Sequence, residues 1–265
     1  MTETEAIDRG GFPGIHAEAE GERRPFALLM VHGVLFDHRD FASYCRYFSS
    51  RGYDCYAFAR RGRAGVPPPN AEGVRLRDYF EDTLRVLEAV GERPVIIGHS
   101  LGALLAQMVA EQDRCRAMVL LAPAPPRGVA VRPPASALPF YLRALPAMVS
   151  GHPHLPRRDV VARVAFGAMS EDSRQALYEQ MVPESGLVLR EVASGVPVKR
   201  DRVRCPVLCV GGEADGVYPP RVVRAVAEHY GGKSLLYPDM DHWIMDEAGW
   251  ERPACDIADW LDSLS

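Results

Sequence analysis

Ser100 stands in Gly98-His99-Ser100-Leu101-Gly102, and an acid and a histidine, Asp215 and His242, follow far along the chain. A serine hydroxyl is a weak nucleophile at neutral pH; it attacks a carbonyl when a histidine takes its proton and a carboxylate orients that histidine. The three residue types point to acyl transfer. Spacing adds a geometric reason, because glycines two places before and after the serine let a strand and a helix approach closely while the bend lifts the hydroxyl above the sheet. A capping serine between loop glycines is the alternative reading. Context decides against it: residues 94–97 are Pro-Val-Ile-Ile, and good helix formers run from 101 to 110.

The oxyanion of such a reaction needs donors fixed in advance. The Leu101 amide, at the start of the helix, is one. The Val34 amide, beyond the turn His32-Gly33, is expected to be the other. Candidate acids and bases belong just past the carboxyl ends of parallel strands, where such sheets bind ligands. Asp215 follows a strand ending near Val210, and His242 follows one ending near Tyr237. Glu213 is the nearer rival acid, whereas Asp239 and Asp241 are too local to His242 to orient it from behind. No acid lies between Asp113 and Asp159, which rules out one on the loop after Leu121. His32 and His99 are expected to pack and hydrogen-bond.

These groups require a frame. Short apolar runs at 26–31, 55–59, 94–97, 117–121, 206–210 and 234–237 read as strands buried on both faces, and amphipathic stretches at 40–50, 76–90, 101–110 and 220–230 alternate with them. Alternation predicts right-handed crossovers and an α/β, doubly wound, mostly parallel sheet. Between 124 and 197 the rhythm breaks. Helical segments at 138–149, 159–169, 171–182 and 186–194, broken by prolines, predict an insertion, with 1–123 and 198–265 forming the core.

With Ser100, Asp215, His242 and the His32-Gly33-Val34 turn in this order, the chain from Phe26 onward resembles an α/β-hydrolase with a helical cap. The resemblance implies an acyl-enzyme mechanism in which Ser100 is the nucleophile, His242 the general base and then acid, and Asp215 the orienting carboxylate. A serine nucleophile disfavours the aspartate-dependent dehalogenases and epoxide hydrolases of the same fold. Two departures stand out. The chain reaches its first strong strand too early to hold both of the usual N-terminal antiparallel strands, and residues 60–65 read Arg-Arg-Gly-Arg-Ala-Gly where relatives often carry Asp-x-Arg-Gly-x-Gly. The second departure is expected to leave the chemistry intact and to reshape the cleft.

Within the insertion, Phe140, Tyr141, Met148, Phe166, Met169 and Met181 can line an apolar pocket for an acyl chain. Seven arginines and no acid lie from Arg114 to Arg158, a local positive field suited to an anionic substrate or an acyl carrier. Composition bounds the rest. The 265 residues, 47% hydrophobic, suffice for a full core, and a net charge of −4 favours no nucleic-acid partner. No run is long and apolar enough to span a bilayer, and the acidic start, which lacks an apolar segment, gives no expectation of a secretory signal. The six scattered cysteines show no zinc-ligand spacing, so reduced thiols in a cytoplasm and no metal or organic cofactor are expected. The reading is a serine hydrolase of hydrophobic carboxylic esters. A thioesterase or acyl-transfer cyclase uses the same acyl-enzyme, and a non-catalytic ligand-binding protein on this fold leaves the triad without a purpose.

Overall fold

The computed structural model describes residues 4–91, 93–132 and 134–264; the first three residues of the acidic start lie outside it. An eight-stranded sheet runs in the order β1-β2-β4-β3-β5-β6-β7-β8. Its parallel part comprises β3 (Leu28–Val31), β4 (Cys55–Phe58), β5 (Val95–His99), β6 (Ala117–Leu121), β7 (Val207–Gly212) and β8 (Lys233–Tyr237). Successive residues serve opposite faces. Leu28, Met30, Val95, Ile97, Val119 and Val210 pack on one side with α1 (Ala42–Ser49) and α9 (Glu251–Asp262). Leu29, Val31, Ile96, Met118, Leu120 and Cys209 pack on the other with α2 (Leu76–Val90), α3 (Leu101–Glu111) and α8 (Pro220–Tyr230). Burial on both faces is why these strands read as unbroken apolar runs rather than alternating ones.

The N-terminal expectation is corrected. Both antiparallel strands are present, β1 (Glu5–Arg9) pairing with β2 (Phe12–Ala17), and β2 in turn pairing with β4. Gly10 and Gly11 adopt φ of 66° and 83°, a two-residue hairpin turn that glycine enters without penalty, so two strands fit where room for one was counted.

Between β6 and β7 the chain forms α4 (Leu138–Ser150), α5 (Arg158–Ala165), α6 (Glu171–Gln180) and α7 (Gly186–Ala193). α5 is shorter than its apolar pattern suggested, because Phe166 leaves helical geometry with φ −134°. One buried network ties this segment to the sheet. Arg63, on the loop after β4, donates from Nη2 to Glu184 Oε2 at 2.7 Å, and both side chains are fully buried. Tyr79 of α2 donates to the other carboxylate oxygen at 2.7 Å, and Arg63 Nη1 donates to the Pro183 carbonyl at 2.9 Å.

Removing Glu184 leaves the Arg63 charge buried without a counter-ion. Glu184→Ala is expected to cost about 3–5 kcal/mol and to lower the unfolding midpoint by roughly 10 °C in scanning calorimetry. By contrast, Glu81→Ala, which breaks the exposed pair with Arg77, is expected to cost no more than about 1 kcal/mol.

Candidate active site

Ser100 joins β5 to α3 with φ 52° and ψ −114°, a left-handed conformation unusual for a residue with a side chain. Its amide donates to Leu121 O at 2.9 Å, and its carbonyl accepts from the amides of Ala103 and Ala124, each at 3.1 Å. The flanking glycines are required by contact. A Cβ on Gly98 would lie 2.4 Å from Gly102 O, and one on Gly102 would lie 1.9 Å from Val31 O.

The loops after β7 and β8 deliver the other two groups. A Cβ on Gly212 would lie 2.1 Å from Met240 O, and the Ala214 amide donates to that same carbonyl at 3.0 Å, so the two loops touch backbone to backbone. Asp215 Oδ1 accepts from the amides of Val217 and Tyr218 at 2.7 and 2.9 Å. Its Oδ2 is left to accept from His242 Nδ1 at 2.9 Å. A carboxylate can only accept here, so the proton resides on Nδ1, and Nε2, 3.1 Å from Ser100 Oγ, is free to accept from the hydroxyl. All three side chains are buried, whereas the rival Glu213 is exposed. The arrangement can move a proton from Ser100 to His242 and hold the resulting imidazolium against a carboxylate.

Further buried groups hold these loops. His99 Nε2 donates to His242 O at 2.9 Å, and burial keeps its imidazole neutral by pushing its pKa well below the usual value. His32, likewise neutral through burial, donates from Nδ1 to Gly33 O at 2.9 Å and accepts the Arg60 amide at Nε2. Arg60 was missed by sequence reasoning. Its guanidinium is buried, stacks 4.7 Å over the Tyr79 ring, and donates to His32 O at 2.6 Å and to Gly33 O at 2.8 Å. With the Gly33 carbonyl turned to Arg60, the Val34 N–H of that trans peptide faces the opposite way. Leu101, as the first residue of α3, has an amide without an intrahelical acceptor.

Asp241, set aside as too local to orient His242, connects instead to the insertion. It accepts from the Ala168 amide at 2.9 Å and the Trp243 amide at 3.0 Å. Glu247, also missed, accepts from the Asp241 amide at 3.2 Å, and burial together with the Asp241 carboxylate pushes its pKa up to about 8. Other bonds reach the same rim: Val182 N donates to Leu35 O at 2.7 Å, Gly216 N to Val164 O at 3.0 Å, and Tyr141 Oη to Val217 O at 2.8 Å.

A cavity of about 510 Å³ opens above Ser100 and His242. Of the residues expected to line it, Phe140, Tyr141, Met148 and Phe166 do so, together with Phe36, Trp243 and Tyr218. Met169 and Met181 do not. They follow the ends of α5 and α6 and turn into the core, where Met181 is buried and Met169 packs against it. Among the described residues no cluster of His, Cys, Asp or Glu is arranged to hold a metal ion, and no helix is long and apolar enough to cross a membrane.

The sequence pattern of the Alpha/beta hydrolase family matches residues 28–259. This chain belongs to the alpha/beta hydrolase family. As a member it is an enzyme of the α/β-hydrolase type, and solved structures share the fold. The monoacylglycerol lipase of Paleococcus ferrophilus superposes with a TM-score of 0.74 at 21% identity, over 95% of this chain and 99% of that one. A serine hydrolase of Cycloclasticus zankles gives 0.70 at 16% identity, over 100% and 99%. A meta-cleavage product hydrolase of Pseudomonas fluorescens gives 0.71 at 14% identity, over 98% of each. No curated protein sequence matches this hydrolase.

Glu247 gives the hydrolase a pH signature. A carboxyl whose folded pKa is raised keeps its proton in the folded state where the unfolded chain has lost it, so it subtracts stability progressively from about pH 4.5 up to about pH 8. Glu247→Gln is therefore expected to raise the unfolding midpoint at pH 8 and to lose that advantage toward pH 4. A constant difference across this range in thermal melts counts against a raised Glu247 pKa.

Proposed function

We propose that the protein is a serine hydrolase that cleaves carboxylic esters of hydrophobic acyl groups through an acyl-enzyme. One observation carries the reading: His242 bridges Ser100 Oγ and Asp215 Oδ2 at 3.1 and 2.9 Å beneath an apolar cavity. Ser100 Oγ attacks the ester carbonyl carbon as its proton passes to His242 Nε2, and Asp215 stabilises the imidazolium. The amides of Val34 and Leu101 hold the oxyanion. As the tetrahedral intermediate collapses, the C–O bond to the alcohol breaks and the alcohol leaves with the His242 proton. Water then repeats the sequence on the acyl-enzyme, releasing the acid and restoring Ser100.

The acyl group lies among Phe36, Phe140, Met148 and Phe166, and a cavity of this size is of the order that holds a small ligand. Residues 124–197 act as a cap over it, as the links from Tyr141, Val164, Ala168, Val182 and Glu184 to the core support. A lipase among the solved structures of similar fold is consistent with this substrate class.

The test is a series of p-nitrophenyl esters from acetate to laurate with the wild type and Ser100→Ala. Efficiency is expected to vary with chain length, and Ser100→Ala to lose on the order of a millionfold in kcat. A fluorophosphonate should label the wild type at Ser100. Labelling elsewhere, or equal turnover by the variant, sinks the reading.

Arg60 offers a separate check on the oxyanion loop. Arg60→Met frees the Gly33–Val34 peptide to rotate and is expected to lower kcat by roughly tenfold to a hundredfold, with KM nearly unchanged. A KM effect alone would place the residue in substrate binding instead.

A further inference from the structure

α4 is apolar on two sides. Tyr141, Ala144 and Met148 face the cavity, while Leu138, Leu142, Leu145 and Val149 recur at positions i, i+4, i+7 and i+11 and point outward. A helix apolar nearly all round is ordinarily buried. Here the outer stripe is bare, with Leu142 52% and Val149 79% exposed. The feature is confined to one place, since the exposed large hydrophobic side chains of the described residues all fall between Val131 and Leu155.

Three observations say what covers this stripe. The first is charge. Residues 131–155 contain Arg132 and Arg143 and no acid, in a chain whose overall balance is −4. Neither arginine lies within ion-pair distance of a carboxylate among the described residues; Arg143 donates only to the carbonyl of Pro139, on its own helix. The second is continuity, because the helix that carries the stripe also walls the cavity through Tyr141, Ala144 and Met148. The third is size. The stripe is four aliphatic side chains on a 13-residue helix, about 20 Å long, without the aromatic anchors and the roughly 800 Å² per partner of a stable protein interface. A narrow apolar ridge in a stretch of chain that is basic and free of acids suits the boundary between acyl chains and anionic headgroups.

We propose that the outer face of α4, Leu138, Leu142, Leu145 and Val149, docks the protein on an anionic lipid surface, with Arg132 before the helix and Arg143 on it supplying positive charge, and sets the cavity that α4 walls against that surface. This deepens the functional reading and rests on it for one point only, that the ester substrate is drawn from that surface rather than from free solution. The docking itself is independent of the chemistry.

Vesicle flotation tests the docking without reference to catalysis. Wild-type protein is floated with vesicles of equal parts phosphatidylglycerol and phosphatidylcholine, and with phosphatidylcholine alone. Binding is expected to the mixed vesicles, to fall with added salt, and to weaken by roughly 100-fold in the Leu142→Glu, Val149→Glu variant, about tenfold for each buried side chain removed. Both positions lie outside the cavity, so the variant is expected to keep hydrolysis of p-nitrophenyl butyrate, which reports that it is folded. Absence of flotation, equal flotation by wild type and variant, or a dimer in sedimentation velocity that the double substitution dissociates overturns the proposal; the last result assigns the stripe to a second copy of the chain. Flotation by a wild type that hydrolyses no ester supports the docking face and overturns the functional reading instead.

Discussion

The carbonyl of Val31 lies where a side chain on Gly102 would have to be, 1.9 Å from an ideal Cβ. α3 thus rests on the sheet backbone to backbone, and this contact fixes how far the turn carrying Ser100 rises above the strands. The same device recurs around the rim. Gly33 meets the Ser100 Cβ and the His99 ring, and Gly212 meets the carbonyls of Met240 and Asp241. Each loop that brings a reactive group approaches its neighbour through a residue without a side chain, so the distances among Ser100, Asp215 and His242 follow from main-chain proximity. The positive φ of Ser100 costs about 1–2 kcal/mol, and the hydrogen bonds at its amide and carbonyl offset it.

Around that frame lie buried polar groups, Arg60, Asp241 and Glu247, that do not line the cavity. Arg60 holds two carbonyls, its pKa pushed down by burial to about 10 but still far above neutrality, so a cation sits behind the His32-Gly33 turn at working pH. On the opposite side, burial raises the carboxyls of Asp241 and Glu247, and these accept from the amides of Ala168, Trp243 and Asp241. Asp215 Oδ2 meets the imidazole through its position, 2.9 Å from His242 Nδ1, and the groups behind it hold the loops in place.

Much of this was legible in the sequence because the governing patterns are local. G-x-S-x-G in strand-to-helix context, apolar runs of strand length, and capping glycines such as Gly91 announce themselves within a few residues. Asp215 and His242 could be found because topology places the residues after parallel strands on one rim. What escaped notice depends on contacts between distant segments. Arg60 reads as one of four arginines in a polar loop, and only its burial against Tyr79 and the β3 turn gives it a function. Glu184, Asp241 and Glu247 bear no periodic signature. Met169 and Met181 were assigned to the pocket on side-chain type alone, and type does not say which way a side chain turns where a helix ends. The hairpin at Gly10 and Gly11 was discounted by counting residues, whereas the positive φ of two glycines makes the turn almost without length.

The bond from Tyr141 Oη to the Val217 carbonyl joins the helix that walls the cavity to the turn that holds the acid. The N–H of that same peptide unit, that of Tyr218, donates to Asp215 Oδ1 at 2.9 Å. Any outward swing of α4 wide enough to admit a bulky molecule removes the tyrosine from that peptide and loosens one of the two amides that aim the carboxylate. Passage beside α4 and alignment of the carboxylate thus share a single peptide unit, so displacing the helix and holding the carboxylate in place oppose each other.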